Sequence, residues 1–249
     1  MSDTFSALLS GLLRSDAARP LVTFYDDASG ERAELSVATY ANWVAKTSSL
    51  LVEEFDLEVG DRILVDLPTH WLGPVFLGAA WNAGLVVCFP GVGGEDDVGA
   101  VICGPDGLSD YADRAGEVPV IACALLPLGV RFTDPLPPGV HDFGVEVWSQ
   151  PDSFMPYDPP EPDSEAVCDG GTQQELVTPT ADELSQELAG GGRLLTTANP
   201  ASPTGLASFV TPLVRGGSTV WIRNADPATW ERRYADERAT AQLDQPARS

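Results

Sequence analysis

The sequence predicts an α/β fold, largely parallel sheets flanked by helices, on three observations. Short apolar runs, among them ILVDL, LVVCFP, AVICG, VPVIACA, RLLTT and STVWI, recur along the 249 residues. Helical segments stand between them, and strand and helix in alternation imply parallel strands covered on both faces and joined by right-handed crossovers. A hydrophobic content of 43% allows a sizeable core.

Taken in order, MSDTFSALLSGLLRSDAARP lacks the early positive charge and cleavage site of a signal peptide, and its apolar positions fit a short amphipathic helix. Leu21–Tyr25 and Ala33–Ser36 read as strands around a turn at Asp26 to Gly30. Ser36 then caps a helix whose Tyr40, Trp43, Val44 and Leu51 share one face. After Gly60-Asp61-Arg62 come the strand ILVDL, an apolar helix beginning near His70, the strands LVVCFP and AVICG, a helix near Leu108–Ala115 and the strand VPVIACA. The uncharged run Trp71–Gly94 is long enough for a membrane span. Its glycines, prolines and asparagine favour a buried helix, a glycine stop and a buried strand instead. Gly91 to Gly94 with Glu95, Asp96 and Asp97 reads as a glycine turn entering an acid-started helix, because those carboxylates oppose a phosphate.

Prolines cluster from Pro127 to Pro162, so residues 127–163 read as an irregular connector between a first unit, 1–126, and a second, 164–249, which can also pack as one domain. The second unit opens with AVCDGG. Thr180 to Glu183 start a helix as a capping box, and RLLTT is the next strand. ANPASPTG leads into a helix at Leu206–Val214, Gly216 and Gly217 stop it, STVWI follows, and Pro227–Arg238 is the last helix before a short strand and polar tail. Gly170, Gly171 and Thr172, after the run AVC, stand where glycines can close backbone amides around a phosphate. Thr196 and Thr197, ending RLLTT, face the same crevice if the sheet is parallel.

Charge narrows the partners. Against 37 acidic residues stand 14 basic ones, a formal net charge of −23, and Lys46 is the only lysine. Scattered arginines do not make a phosphate-neutralising patch, so nucleic acid is excluded. The acidity reads as an aid to solubility in a cytoplasmic chain. The four cysteines, Cys88, Cys103, Cys123 and Cys168, each close an apolar run without Cys-x-x-Cys spacing and read as reduced buried thiols. His70 and His141 are too few and too far apart for a metal motif, and SFMPYDPPEPDSE has no calcium-loop spacing; no metal site is expected.

From TFYDDASGERAELS through GDRILVDLP to NAGLVVCF, the first part of the chain is similar to the opening of adenylate-forming enzymes, the superfamily of acyl-CoA synthetases, luciferases and peptide-synthetase adenylation domains. GRLLTTANPASPTGLASFVTPLVRGGSTVWI resembles the segment after that superfamily's phosphate loop. The resemblance implies the fold of the N-terminal portion of an acyl-CoA synthetase, and chemistry in which ATP activates a carboxylate. It places the phosphate loop at CDGGTQQELVTPT, where only Gly170, Gly171 and Thr172 keep its character and its Pro-Lys-Gly is missing. Asp169 and Glu175 add negative charge there, ANPASPTG lacks the family's histidine, and the chain ends before the later adenine, magnesium and catalytic-lysine motifs.

The expectation is a truncated, non-catalytic relative with no required cofactor. Residual ATP or AMP binding is assigned to a remnant crevice at Gly170, Gly171, Thr172, Thr196 and Thr197, and a protein partner or self-association is anticipated. Two alternatives stay open: one half of a split adenylate-forming ligase completed by another chain, and an interaction module without a ligand.

Overall fold

A computed structural model describes residues 3–94, 97–168 and 170–244; the acids expected at Glu95, Asp96 and Asp169 and the polar tail from Gln245 lie outside them. Helix α1 (Phe5–Asp16) is capped by Thr4, whose hydroxyl accepts from the Ala7 amide. Strands β1 (Pro20–Asp26) and β2 (Glu31–Ser36) form the expected hairpin, and Ser36 caps α2 (Val37–Ser49) as its sequence announces. Strand β3 (Arg62–Asp66) leads to α3 (Leu72–Ala83), which Gly84 ends in a left-handed conformation at φ 79° before β4 (Val86–Cys88). The run Trp71–Gly94 is thus the buried helix, stop and strand expected of it. Among the described residues no helix is long and apolar enough to cross a membrane.

Next come β5 (Ala100–Cys103), α4 (Leu108–Tyr111), β6 (Val120–Ala122), β7 (Val140–Asp142), α5 (Phe143–Glu146), β8 (Glu165–Val167), β9 (Gly171–Thr172) and α6 (Gln173–Val177). The chain closes with α7 (Glu183–Glu187), β10 (Arg193–Thr196), α8 (Ala207–Val214), β11 (Ser218–Arg223), α9 (Trp230–Asp236) and β12 (Ala241–Leu243). The capping box expected at Thr180 stands at Thr172 instead. Asp182 caps α7, accepting from the Ser185 amide at 2.7 Å, because it stands directly before the first helical residue, whereas Thr180 lies two residues further out and donates to it.

Two largely parallel sheets result, one in the order β12-β10-β11-β1-β2 and one in the order β7-β6-β5-β3-β4-β8-β9. Among the described residues they are antiparallel only at the β1–β2 and β8–β9 hairpins. The sheets do not divide where the sequence units do. The first hairpin pairs with β11 of the second unit, and β8 of the second unit pairs with β4 of the first. Residues 127–163 are not wholly irregular either, since β7 adds an edge strand beside β6. The physical reason is one continuous core: Phe24 and Trp221 of the five-stranded sheet, Ile63 and Ile102 of the seven-stranded sheet, and Phe76, Trp81 and Phe209 from the helices all belong to it. Neither unit buries its apolar face alone.

Two cysteines correct the expectation of four free thiols. Cys88 and Cys168 are joined in a disulfide with Cα atoms 5.0 Å apart, while Cys103 and Cys123 stay free and buried. Val87 and Val167 are partners in the β4–β8 pair, so the residues that follow them stand side by side. Strand pairing, not spacing along the chain, brings the sulfurs together.

Candidate functional site

The glycines after β8 make the tight turn of a hairpin. Gly170 has φ 90°, open only to glycine without strain, and its amide donates to the Val167 carbonyl at 3.0 Å. Thr172 caps α6: its hydroxyl accepts from the Glu175 amide at 3.2 Å, and the Glu175 carboxylate accepts from the Thr172 amide at 3.0 Å. The amides of Gln173 and Gln174 donate to the carbonyls of Ser164 and Pro162, each at 2.9 Å. Among the described residues, the amides of Gly170, Thr172, Gln173, Gln174 and Glu175, donors of the kind a phosphate nest would offer, are therefore already engaged within the protein. The Gln173 side chain is fully buried, accepting from the Phe5 amide at 3.1 Å and donating to the Trp81 carbonyl at 3.0 Å.

Thr196 and Thr197 lie at the end of β10, in the other sheet. Thr196 is buried and its hydroxyl accepts from the Ala198 amide at 3.0 Å; Thr197 donates to the Asp244 carbonyl. The single crevice that would hold both stretches required one parallel sheet, and the two stretches end in different ones. Asn199 ties the following loop across the molecule, its amide donating to the Leu67 carbonyl at 2.7 Å.

A cavity of about 310 Å³ opens where sequence reasoning did not look, at the C-terminal ends of β3 and β5. Here α3 packs on the face carrying Ile63 and Val65, whereas Leu108 and Tyr111 of α4 pack on the opposite face carrying Leu64 and Val101. Neighbouring parallel strands whose connections leave to opposite faces create the switch-point crevice where open sheets bind ligands. Asp66, Asp106, Asp110 and Asn199 line it, and Asp66 accepts from the Tyr111 hydroxyl at 3.0 Å. Carboxylates at this mouth oppose a phosphate and admit a neutral or cationic group. No sequence signal marks it, because strand order exists only in the folded sheet.

The charges complete the picture. Lys46 is held by Asp152 at 2.9 Å and by the Gln150 carbonyl, both in the connector. Arg62 is the cation sequence reading missed near the glycine turn: it stands 3.8 Å from Glu165 on β8. His70 is buried, with Nδ1 accepting from the Leu72 amide at 3.2 Å and Nε2 without a partner. Burial, assisted by the charge of Arg223 and opposed by Asp26, lowers its pKa to about 3, so it stays neutral. His141 pairs with Glu146 at 2.9 Å, away from His70. Among the described residues no group of His, Cys, Asp and Glu is placed to hold a metal ion.

No protein-family model matches the chain. A TIGR03089 family protein of Mycobacterium tuberculosis is 34% identical over 244 residues, covering 95% of this chain and 96% of that protein. Among solved structures, an acyl-CoA synthetase of Brucella canis superposes with a TM-score of 0.72 at 15% identity over 96% of this chain. A fatty acyl CoA synthetase of Mycobacterium tuberculosis gives 0.68 at 12% identity over 95%, and the N-terminal domain of FACL13 from the same organism gives 0.67 at 13% over 96%. The chain spans 46% and 48% of the two synthetases, about half of their length, and 62% of the FACL13 chain. What they share with it is the fold, that of the N-terminal portion of an acyl-CoA synthetase.

Proposed function

Because the chain belongs to the TIGR03089 family and carries the N-terminal fold of the adenylate-forming superfamily, we propose that it acts by binding and does not itself adenylate a carboxylate. One observation carries this reading: at the position of the superfamily's phosphate loop, the amides of Gly170, Thr172, Gln173, Gln174 and Glu175 all donate within the protein. An ATP phosphate placed there would have to break the hairpin and the capping box to gain its donors. The residues present at this turn do not fit an ATP phosphate.

The binding is directed at a protein. Val145, Trp148, Met155 and Tyr157, all in the connector, are more than half exposed, an unusual display of large apolar side chains on a chain so acidic. A cytoplasmic setting belongs to the same reading. ATP–pyrophosphate exchange by the purified chain, across a panel of short, medium and long carboxylates, is expected to stay at background, with no melting shift on adding ATP, AMP or acyl-CoA. Exchange above background with any acid overturns the proposal.

The share of the matched synthetases that the chain spans favours a second reading, a split ligase completed by another polypeptide. That reading predicts exchange when the chain is co-purified with an adenylating-domain partner, and none from the partner by itself.

A further inference from the structure

We propose that Cys88 and Cys168 form a reversible redox site, oxidised by a peroxide, that locks two glycine loops together. Cys88 ends β4 and opens the run Phe89 to Gly94, in which Gly91, Gly93 and Gly94 all have positive φ. Cys168 follows β8 and opens the turn at Gly170, also at positive φ. Each sulfur therefore sits at the junction of a strand and a glycine loop. The Cys168 amide donates to the Val87 carbonyl at 3.0 Å, which holds the cysteine backbones in register whatever the state of the sulfurs.

The two positions differ as an attacking and a resolving thiol should. Cys88 is fully buried, whereas Cys168 is partly exposed. A Cβ built on Gly94 would meet Arg62 Nη1 at 3.4 Å and Cys168 Sγ at 3.8 Å, so the guanidinium and the more exposed of the two sulfurs both flank Gly94. A neighbouring cation favours the thiolate, the reactive form. The other two thiols are protected: burial, with the charge of Asp66, pushes Cys103 up to about 12, and burial pushes Cys123 upward as well.

The chemistry balances with hydrogen peroxide as oxidant. The Cys168 thiolate attacks one peroxide oxygen, the O–O bond breaks, and the departing hydroxide takes a proton to leave as water. Cys168 becomes a sulfenic acid. The Cys88 sulfur then attacks the sulfenic sulfur and loses its proton, the S–O bond breaks, and a second water leaves. Two thiols are oxidised to one disulfide while one peroxide is reduced to two waters. A dithiol reductant reverses the bond by exchange.

The test uses the full chain, reduced and then treated with hydrogen peroxide. Titratable thiols should fall from the four of the sequence to the two free in the folded protein. The intact mass should drop by about 2 Da, the two hydrogens lost. Non-reducing digestion should recover one linked pair, Cys88 with Cys168, that dithiothreitol opens. Amide exchange in residues 89–94 and 170–173 should slow severalfold in the oxidised form. In Cys88→Ser, oxidation should stop at Cys168 sulfenic acid, trapped by dimedone; where that variant fails to fold, the digestion of the unsubstituted chain decides. Four thiols surviving peroxide, a different linked pair, a bond that dithiothreitol leaves closed, or unchanged loop exchange each overturns the proposal.

Discussion

Gln173 shows how a residue can change meaning between sequence and fold. In the sequence Gln173 stands just past Gly170, Gly171 and Thr172, where the family's Pro-Lys-Gly is missing. In the structure it is buried, and it joins the start of α1 to the end of α3 through the Phe5 amide and the Trp81 carbonyl. Removing the side chain strands the buried Phe5 amide and leaves the Trp81 carbonyl with only the longer bond from the Gly84 amide, at 3.4 Å; a stranded buried group costs about 1–3 kcal/mol. Gln173→Ala is accordingly expected to lose about 3 kcal/mol in chemical denaturation. Glu175→Ala, which opens only the exposed capping box, should lose about 1 kcal/mol. Equal losses would show that the buried bonds contribute nothing special. The turn at Gly170 was readable from its glycines, but the partners of Gln173 were not, since they lie 168 and 92 residues away.

Helix α3 was the most readable of the elements. Its lack of charge from Trp71 onward marked a segment buried all round, and in the structure only Asn82 of its residues escapes full burial. The close approach of α2 was not readable. Gly78 faces Tyr40, whose hydroxyl donates to the Pro74 carbonyl at 2.8 Å, and Phe5; a Cβ at Gly78 would collide with both rings. Neither aromatic can retreat, because each is fully buried. Gly78→Ala should therefore destabilise the protein by about 1–3 kcal/mol despite the higher helix propensity of alanine, seen as a lower denaturation midpoint. A neutral or stabilising result would mean that α2 and α3 separate freely. Short elements were read less well: α7 starts from Asp182 and not Thr180, because a difference of two residues in capping depends on local geometry.

For the whole molecule, acid is the informative stress. His70 is neutral in the folded state, with a pKa lowered to about 3 by burial and by Arg223, whereas an unfolded histidine takes a proton near pH 6.5. Below that pH the unfolded state binds a proton that the native state refuses, so stability falls as pH falls toward 3. Between pH 6.5 and 4.5 this one group should account for about 2 kcal/mol, since each pH unit crossed well below 6.5 costs roughly 1.4 kcal/mol. The unsubstituted chain should lose about that much more over this interval than His70→Asn, measured by urea denaturation at the two pH values. Identical losses would place a charged His70 within the fold. Glu237 adds to acid sensitivity in both proteins equally. Burial pushes its carboxyl up, but hydrogen bonds from Tyr25 and Arg193 and nearby guanidinium charges outweigh this and hold it low.

By itself the sequence determined the alternation of strands and helices, the acidity, the single lysine and the absence of a Pro-Lys-Gly at the expected loop, because each is a local property of consecutive residues. Tertiary structure decided the rest. It put the first hairpin into the later strands' sheet, paired Cys88 with Cys168 across 80 residues, and opened the Asp66 crevice where α3 and α4 leave to opposite faces. It also turned the amides after Gly170 inward. Each of these follows from strand order and from one core shared by both sheets, and contacts between residues distant in sequence cannot be read from the spacing of their neighbours.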